Sequence, residues 1–286
     1  MPSPTASAAA SSGREPPRGG ERLLRLLDRA APALFTILVL LAWEAACRAF
    51  AIPPYLLPMP SAIARAALSY PALSWLASAW ATLRVSVLGL ALACAVAVPL
   101  AMALTASRLL SRTLYPLLVV VQSTPVVAVA PIIVVVLGAG DLPRIAITFL
   151  IAFFPIVVST ATGLAAAPEE LIELSRSLGA TRRREMLNIR LPFSIPYVFS
   201  ALRISATLSV IGAVVAEFVA AENGLGYMIA FATSNFRLPL AFAALAVLIA
   251  FSLLLFQAMT AVQRLAFPWS LPPAARSRRA RRARAQ

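Results

Sequence analysis

Val85-Ser-Val-Leu-Gly-Leu-Ala-Leu-Ala-Cys-Ala-Val-Ala-Val-Pro-Leu-Ala-Met-Ala-Leu-Thr-Ala-Ser107 runs for 23 residues between Arg84 and Arg108 without a charge. Crossing the ~30 Å hydrocarbon core of a bilayer takes about 20 mostly apolar helical residues. This stretch meets that requirement, and working outward from it the charges leave room for more. Uncharged intervals of 28, 24 and 26 residues separate Arg112 from Asp141, Arg144 from Glu169 and Arg237 from Arg264. Two further apolar stretches carry charges: residues 32–50 hold Glu44 and Arg48 near their end, and residues 196–221 hold Arg203 and Glu217. The pattern predicts an all-α, polytopic membrane protein with six transmembrane helices over residues 31–265. It is flanked by a largely disordered tail over 1–30 and an arginine-rich tail over 266–286.

Composition agrees. The 286 residues are 60% hydrophobic and 13% charged, with a mean hydropathy of +0.86, whereas a soluble domain carries roughly 25% charged residues. All 25 cationic side chains are arginine, giving a net charge of +14 with no lysine and no histidine. A P-loop needs its lysine, and Schiff-base lysines, histidine bases and histidine metal ligands are equally excluded. Cys47 and Cys94 both lie in apolar runs and make a poor disulfide or metal framework. No catalytic residue, metal site or cofactor is expected.

Arginine placement sets the topology, because cytoplasmic loops are enriched in it. With the N-terminus inside, 19 arginines fall on the cytoplasmic side and five outside, and Arg203 lies within a span. An even number of spans puts both termini in the cytoplasm. The first span is expected to be retained: a polar leader of ~30 residues is long for a signal peptide, and Glu44 sits where a cleavage region should be small and neutral. The C-terminal tail has six arginines over 272–286 and no acid. A nucleic-acid arm is conceivable, but the favoured partner is anionic lipid, at ~1 kcal/mol per charge near the surface.

Only one cytoplasmic connection is long, residues 167–195. Pro168 followed by Glu169 and Glu170 reads as a helix start. Leu171, Leu174 and Leu178 recur at helical spacing. Gly179 suits the left-handed residue that ends a helix, and Thr181 suits the cap of a second short helix over 182–190. This is an amphipathic helix–turn–helix, either lying across the cytoplasmic mouth or only resting on the membrane surface.

Glu173, Gly179, Ile189, Leu191 and Pro192 reproduce the spacing of the "EAA" loop, EAA-x3-G-x9-I-x-LP, although Leu174 and Ser175 replace its two alanines. On these residues the chain resembles the membrane subunits of binding-protein-dependent ABC importers. The likeness runs from about residue 52 to 268. It includes Leu57-Pro58-Met59-Pro60-Ser61, Ala152-Phe153-Phe154-Pro155-Ile156 and Glu222-Asn223-Gly224-Leu225-Gly226-Tyr227. The last two resemble the branch that imports nitrate, taurine and sulfonates, together with thiamine-precursor pyrimidines and riboflavin.

The resemblance implies a type I ABC importer transmembrane fold in the bacterial inner membrane. It implies a second copy of the permease, two copies of a cytoplasmic ABC ATPase that supply the missing P-loop, and an extracytoplasmic substrate-binding protein. The loop would then be a coupling helix, with Glu173, Ser175, Gly179, Ala180 and Thr181 as the docking surface and Arg176 and Arg182 offering charge. Rival classes are an ion-gradient-driven secondary transporter and a non-transporting membrane scaffold.

Polar groups inside a span tend to face a cavity or a partner helix. Gln122, Ser123 and Thr124 precede Pro125 near the middle of the third span, and proline breaks helices where transport sites are often found. Ser159 on the fourth span and Glu217 on the fifth complete the pathway candidates, with close helix–helix contact as the alternative. Thr160 and Thr162 on the fourth span and Ser205, Thr207 and Ser209 on the fifth are weaker candidates. Arg203 is expected to reach the cytoplasmic interface, being ~21 Å along the helix from Glu217. Gly224 and Gly226 allow a tight turn in an outer loop over 222–239.

Overall fold

A computed structural model describes the backbone of residues 19–271 and the side chains of residues 31–271. The chain forms α1 (Gly19–Ala49), α2 (Pro60–Ser69), α3 (Ala72–Ala106), α4 (Arg108–Ser123), α5 (Val126–Leu137) and α6 (Asp141–Ala165). These are followed by α7 (Glu169–Ser177), α8 (Arg182–Glu185), a π-helical turn (Met186–Arg190), α9 (Leu191–Ala220), α10 (Leu225–Ser234), α11 (Leu238–Ala266) and a closing 3-10 turn (Pro268–Ser270). The proposed N-terminal tail overlaps α1 from Gly19 onward; residues 1–18 and 272–286 of the two tails lie outside the described residues.

Five helical segments are long and apolar enough to cross a membrane: Ala31–Ala49, Ala72–Ala106, Asp141–Ala165, Arg182–Ala220 and Leu238–Ala266. Helices α4 and α5 are long and apolar enough only when taken together, as one broken span or as a re-entrant pair. They meet at 95° across Thr124-Pro125, at the proline where the sequence reading put a break in the third span. Pro125 has no N–H to donate and disfavours helical geometry in the residue before it. Thr124 is accordingly extended, at φ −77° and ψ 124°. Pro131, by contrast, sits inside α5 and the helix continues through it.

Three boundaries differ from the sequence reading. Helix α3 starts 12 residues before Arg84 and its 35 residues extend ~52 Å, so Arg84 lies within a helix rather than at its edge. The second loop helix is not separate: α8 passes through the π turn into α9 as one segment of 39 residues. Within the supposed outer loop, residues 225–234 form α10, with Gly224 as its N-cap at φ 127°.

Helix α6 is the centre of the bundle, packed between α3 and α9. Small residues set the approach. Gly89 of α3 lies against the Thr148 side chain, and a Cβ at Gly212 of α9 would come within 2.9 Å of the Thr148 Cα. At the far end of α6, a Cβ at Gly163 would be 2.7 Å from the Tyr197 Cβ. Without a hydrophobic drive between helices in lipid, such close backbone approach is what van der Waals packing requires. Ser205 donates to the Ala152 carbonyl at 2.9 Å. Together these pairs (163 with 197, 152 with 205, 148 with 212) make α6 and α9 antiparallel. The pairs Gly89–Thr148 and Ala101–Leu164 make α3 and α6 parallel. The main core runs along this triplet through Leu90, Ala97, Ala152, Ile156, Ala206 and Val210. Outward-facing apolar side chains such as Leu38, Leu41, Val120, Val135, Ile249 and Leu253 are exposed, as a lipid solvent allows.

Candidate functional site

The loop between α6 and α9 is built almost wholly from local rules. Helix α7 begins after Pro168 with Glu169 and Glu170 in its first turn. It ends in a Schellman turn: Gly179 N donates to Arg176 O at 2.9 Å and Ala180 N to Ser175 O at 2.9 Å, with Gly179 at φ 75°. That pair of bonds satisfies two carbonyls that a helix end leaves open. Thr181 then caps α8, accepting from Arg184 N at 3.4 Å. Glu173, Leu174, Arg176, Leu178, Gly179, Thr181 and Arg182 are exposed, and Ser175 and Ala180 are half-buried. Ile172 is buried and faces the protein. Thr181, Arg183, Arg184, Leu187 and Asn188 line a shallow depression beside this corner.

One residue absent from the sequence reading organises the loop. Glu185 is 6% exposed. Its carboxylate accepts from Arg176 Nε at 3.1 Å and from Arg190 Nε at 2.8 Å. Arg190 also donates through Nη1 to the Leu164 carbonyl at 3.2 Å, near the end of α6. Next to it, Met186 packs with Ala101 and Leu164, so the loop is seated on α3 and α6. A lone acid followed at five residues by arginine, within an otherwise cationic run, was the available signal. Arg176 is therefore ion-paired inside the loop as well as exposed.

The pathway candidates are not gathered at one point. Gln122, Ser123 and Thr124 sit exposed at the α4–α5 break. Ser123 and Thr124 donate to the carbonyls of Val119 and Val120 at 2.9 and 3.3 Å. Ser159 is half-buried on α6, and its neighbour Thr160 is fully buried with an unpartnered hydroxyl. Ser205 and Ser209 are buried and bond backbone carbonyls, which gives them a packing role. Among the described residues no hydrogen bond or ion pair joins Gln122, Ser123 or Thr124 to Ser159 or Glu217.

Glu217 is 2% exposed. It accepts from Thr82 Oγ1 at 2.8 Å and from Gly226 N at 2.7 Å. Thr82 in turn accepts from Leu225 N at 2.8 Å. Gly224 and Gly226 both lie directly against the carboxyl group. Helix α10 thus starts inside the protein, and a carboxylate and a hydroxyl from two other helices receive its first N–H groups. Buried donors left open at a helix start would cost about 1–3 kcal/mol each. Glu44 does the same for α2, accepting from Ser61 N at 3.0 Å and Ser61 Oγ at 2.8 Å. Asp141 at the start of α6 pairs with Arg84 and with Arg144. Arg203 donates to Gln263 of α11 at 2.5 Å, beside Arg264 in the last turn of that helix and so at the end where the cytoplasmic interface was expected. Gln263 is itself buried and bonds Ser270 at 3.1 Å.

Comparison with known proteins agrees with this architecture. Residues 95–268 match the family described as binding-protein-dependent transport system inner membrane component. The formylaminopyrimidine transport permease ThiX of Halalkalibacterium halodurans is 34% identical over 83% of this chain and 95% of its own length. The riboflavin transport permease RibX of Chloroflexus aurantiacus is 38% identical over 57% of this chain and 60% of its own. Among solved structures, an inward-facing MetNI methionine ABC transporter chain superposes with a TM-score of 0.60 at 22% identity, covering 66% of this chain and 94% of that one. This chain belongs to the binding-protein-dependent transport system inner membrane components, and is the permease subunit of an ABC importer.

Proposed function

We propose that two copies of this chain form the translocation pathway, and that the α7–α8 corner is where a separate cytoplasmic ABC ATPase engages each copy. The observation that carries the reading is the corner itself. Its exposed face presents Glu173, Leu174, Arg176, Leu178, Gly179, Thr181 and Arg182, while Ile172 and Glu185 root it in the bundle. The chain has no lysine for a nucleotide-binding loop, so hydrolysis belongs to the partner. Arginine asymmetry supports a cytoplasmic position for this end and for both termini. The opposite end, with α2 and α10, then meets an extracytoplasmic binding protein that delivers the solute. Membership of the permease family argues against the ion-gradient and scaffold alternatives.

The solute is small and polar, of the nitrate, sulfonate or taurine kind or of the vitamin-precursor kind. The breadth of the match to a formylaminopyrimidine permease, across 83% of this chain, favours the vitamin-precursor kind. The broken third span with Gln122, Ser123 and Thr124, and Ser159 on α6, supply the polar groups proposed for the pathway. Glu217 serves it indirectly, by fixing α10.

Substitution of Gly179 by Trp tests the docking assignment. The φ of 75° suits glycine alone, so the Schellman turn and the corner should be lost. The expected outcome is normal membrane insertion with no co-purifying ATPase and no ATP-driven uptake. Retention of both would overturn the assignment.

A further inference from the structure

We infer that Glu185 is a positioning residue that makes the α7 loop and the α6–α9 pair move as one body. The inference rests on the docking reading above and extends it to how force leaves the loop. Three elements meet at this carboxylate. Arg176 brings α7, Arg190 brings the π turn that leads into α9, and Arg190 carries the connection on to the Leu164 carbonyl of α6. Without it, α7 would be tied to the bundle by Ile172 and by the two ends of its own chain.

The two arms of the clasp differ in strength. Arg190 has a side chain 17% exposed, so its pair with Glu185 lies in a low-dielectric setting. Arg176 is 61% exposed, and a pair so open to water is worth little by itself. Its geometry is nonetheless a fork, with Nε on Oε2 and Nη2 on Oε1 at 3.1 and 3.4 Å, the arrangement that gives guanidinium–carboxylate pairs their directionality. A protein seated on the exposed face of α7 excludes water from Arg176 and strengthens that arm. The clasp is therefore soft in the free chain and stiff when the loop is occupied.

The π turn over Met186–Arg190 adds a reason for such a clasp. A π turn interrupts the regular hydrogen-bond ladder and is a common site of local give in a helix. Left unbraced, a push on α8 would be absorbed there and would not reach α9. Glu185 and Arg190 flank the turn at either end and bond across it at 2.8 Å.

The test uses the full chain in proteoliposomes with its ATPase, cysteine-free apart from a label introduced at the exposed Phe218 near the far end of α9. Pulsed electron–electron resonance measures the label-to-label distance between two copies, with and without ATP and vanadate. E185Q removes the charge but keeps the shape. It should still capture the ATPase and hydrolyse ATP, yet the nucleotide-dependent distance change should fall by about tenfold, in the upper range of single-residue coupling effects. R190Q should behave alike, and the double variant E185Q/R190Q should be no worse than either, because both break one network. Should E185Q fail to insert, R190K provides the milder break: it keeps the charge but cannot reach both Glu185 and the Leu164 carbonyl. A wild-type distance change in E185Q or R190K, or effects that multiply in the double variant, would overturn the clasp while leaving docking intact. If the unmodified chain captures no ATPase, the docking reading fails and the clasp fails with it.

Discussion

At the scale of single residues, two costly acids, Glu44 and Glu217, are each matched to an open backbone N–H at a helix start. Thr82 supports the second, since one hydroxyl both donates to Glu217 and accepts from Leu225 N. Replacing it with valine keeps the shape and strands a buried carboxylate oxygen and a buried N–H. Thr82→Val should lower stability by about 1–3 kcal/mol, read as a lower Tm in detergent, while Thr82→Ser stays near wild type. A Thr82→Val protein as stable as wild type would mean that water reaches the start of α10. Gly226 makes the same point sterically. A Cβ there would stand 2.8 Å from Glu217 Oε2 and 3.1 Å from the Val214 Cα, and the second neighbour is backbone that has nowhere to move.

At the scale of elements, the break between α4 and α5 follows from one proline. Proline within a helix costs about 3 kcal/mol relative to alanine, so Pro125→Ala shifts that amount toward a straight span. Gln122 would then turn from an exposed break into a continuous apolar helix. A cysteine at position 122 should react more slowly with a membrane-impermeant maleimide in the Pro125→Ala background, and Pro131→Ala should leave its rate unchanged. Equal rates in all three would locate the bend elsewhere. What the sequence revealed at this scale, and what it concealed, divides along one line. The spans, the start of α7, the Gly179 turn and the Thr181 cap depend on neighbours within a few residues, and all were legible. The Thr82 cap of α10, the Thr82–Glu217 bond and the bond of Arg203 to Gln263 depend on partners 60 to 143 positions away. Hydropathy is blind to such pairings: α10 is ten apolar residues, too few for a span, and its cap comes from other helices.

For the whole molecule, the arginine distribution makes a direct forecast. A fluorescent protein that matures only in the cytoplasm should be bright when fused to either end of the chain, and an alkaline phosphatase fusion at either end should be inactive. One bright and one dark terminus would mean an odd number of crossings and would make α4–α5 a re-entrant pair rather than a broken span. The partners of the buried charges also imply an order of assembly. A chain threaded into the membrane from its N-terminus must shelter each charge as it arrives. Glu44 carries its own counterion, Arg48, one turn along the same helix at 2.7 Å, and so enters as a near-neutral unit before Ser61 exists. Asp141 finds Arg84 already in place, and Glu217 finds Thr82 waiting 135 residues behind it. Arg203 waits longest of these for a partner, by the 60 residues that separate it from Gln263. The arrival of α11 is thus the step that gives Arg203 its hydrogen-bond acceptor, and a chain truncated before Gln263 should be the form that quality-control proteases recognise.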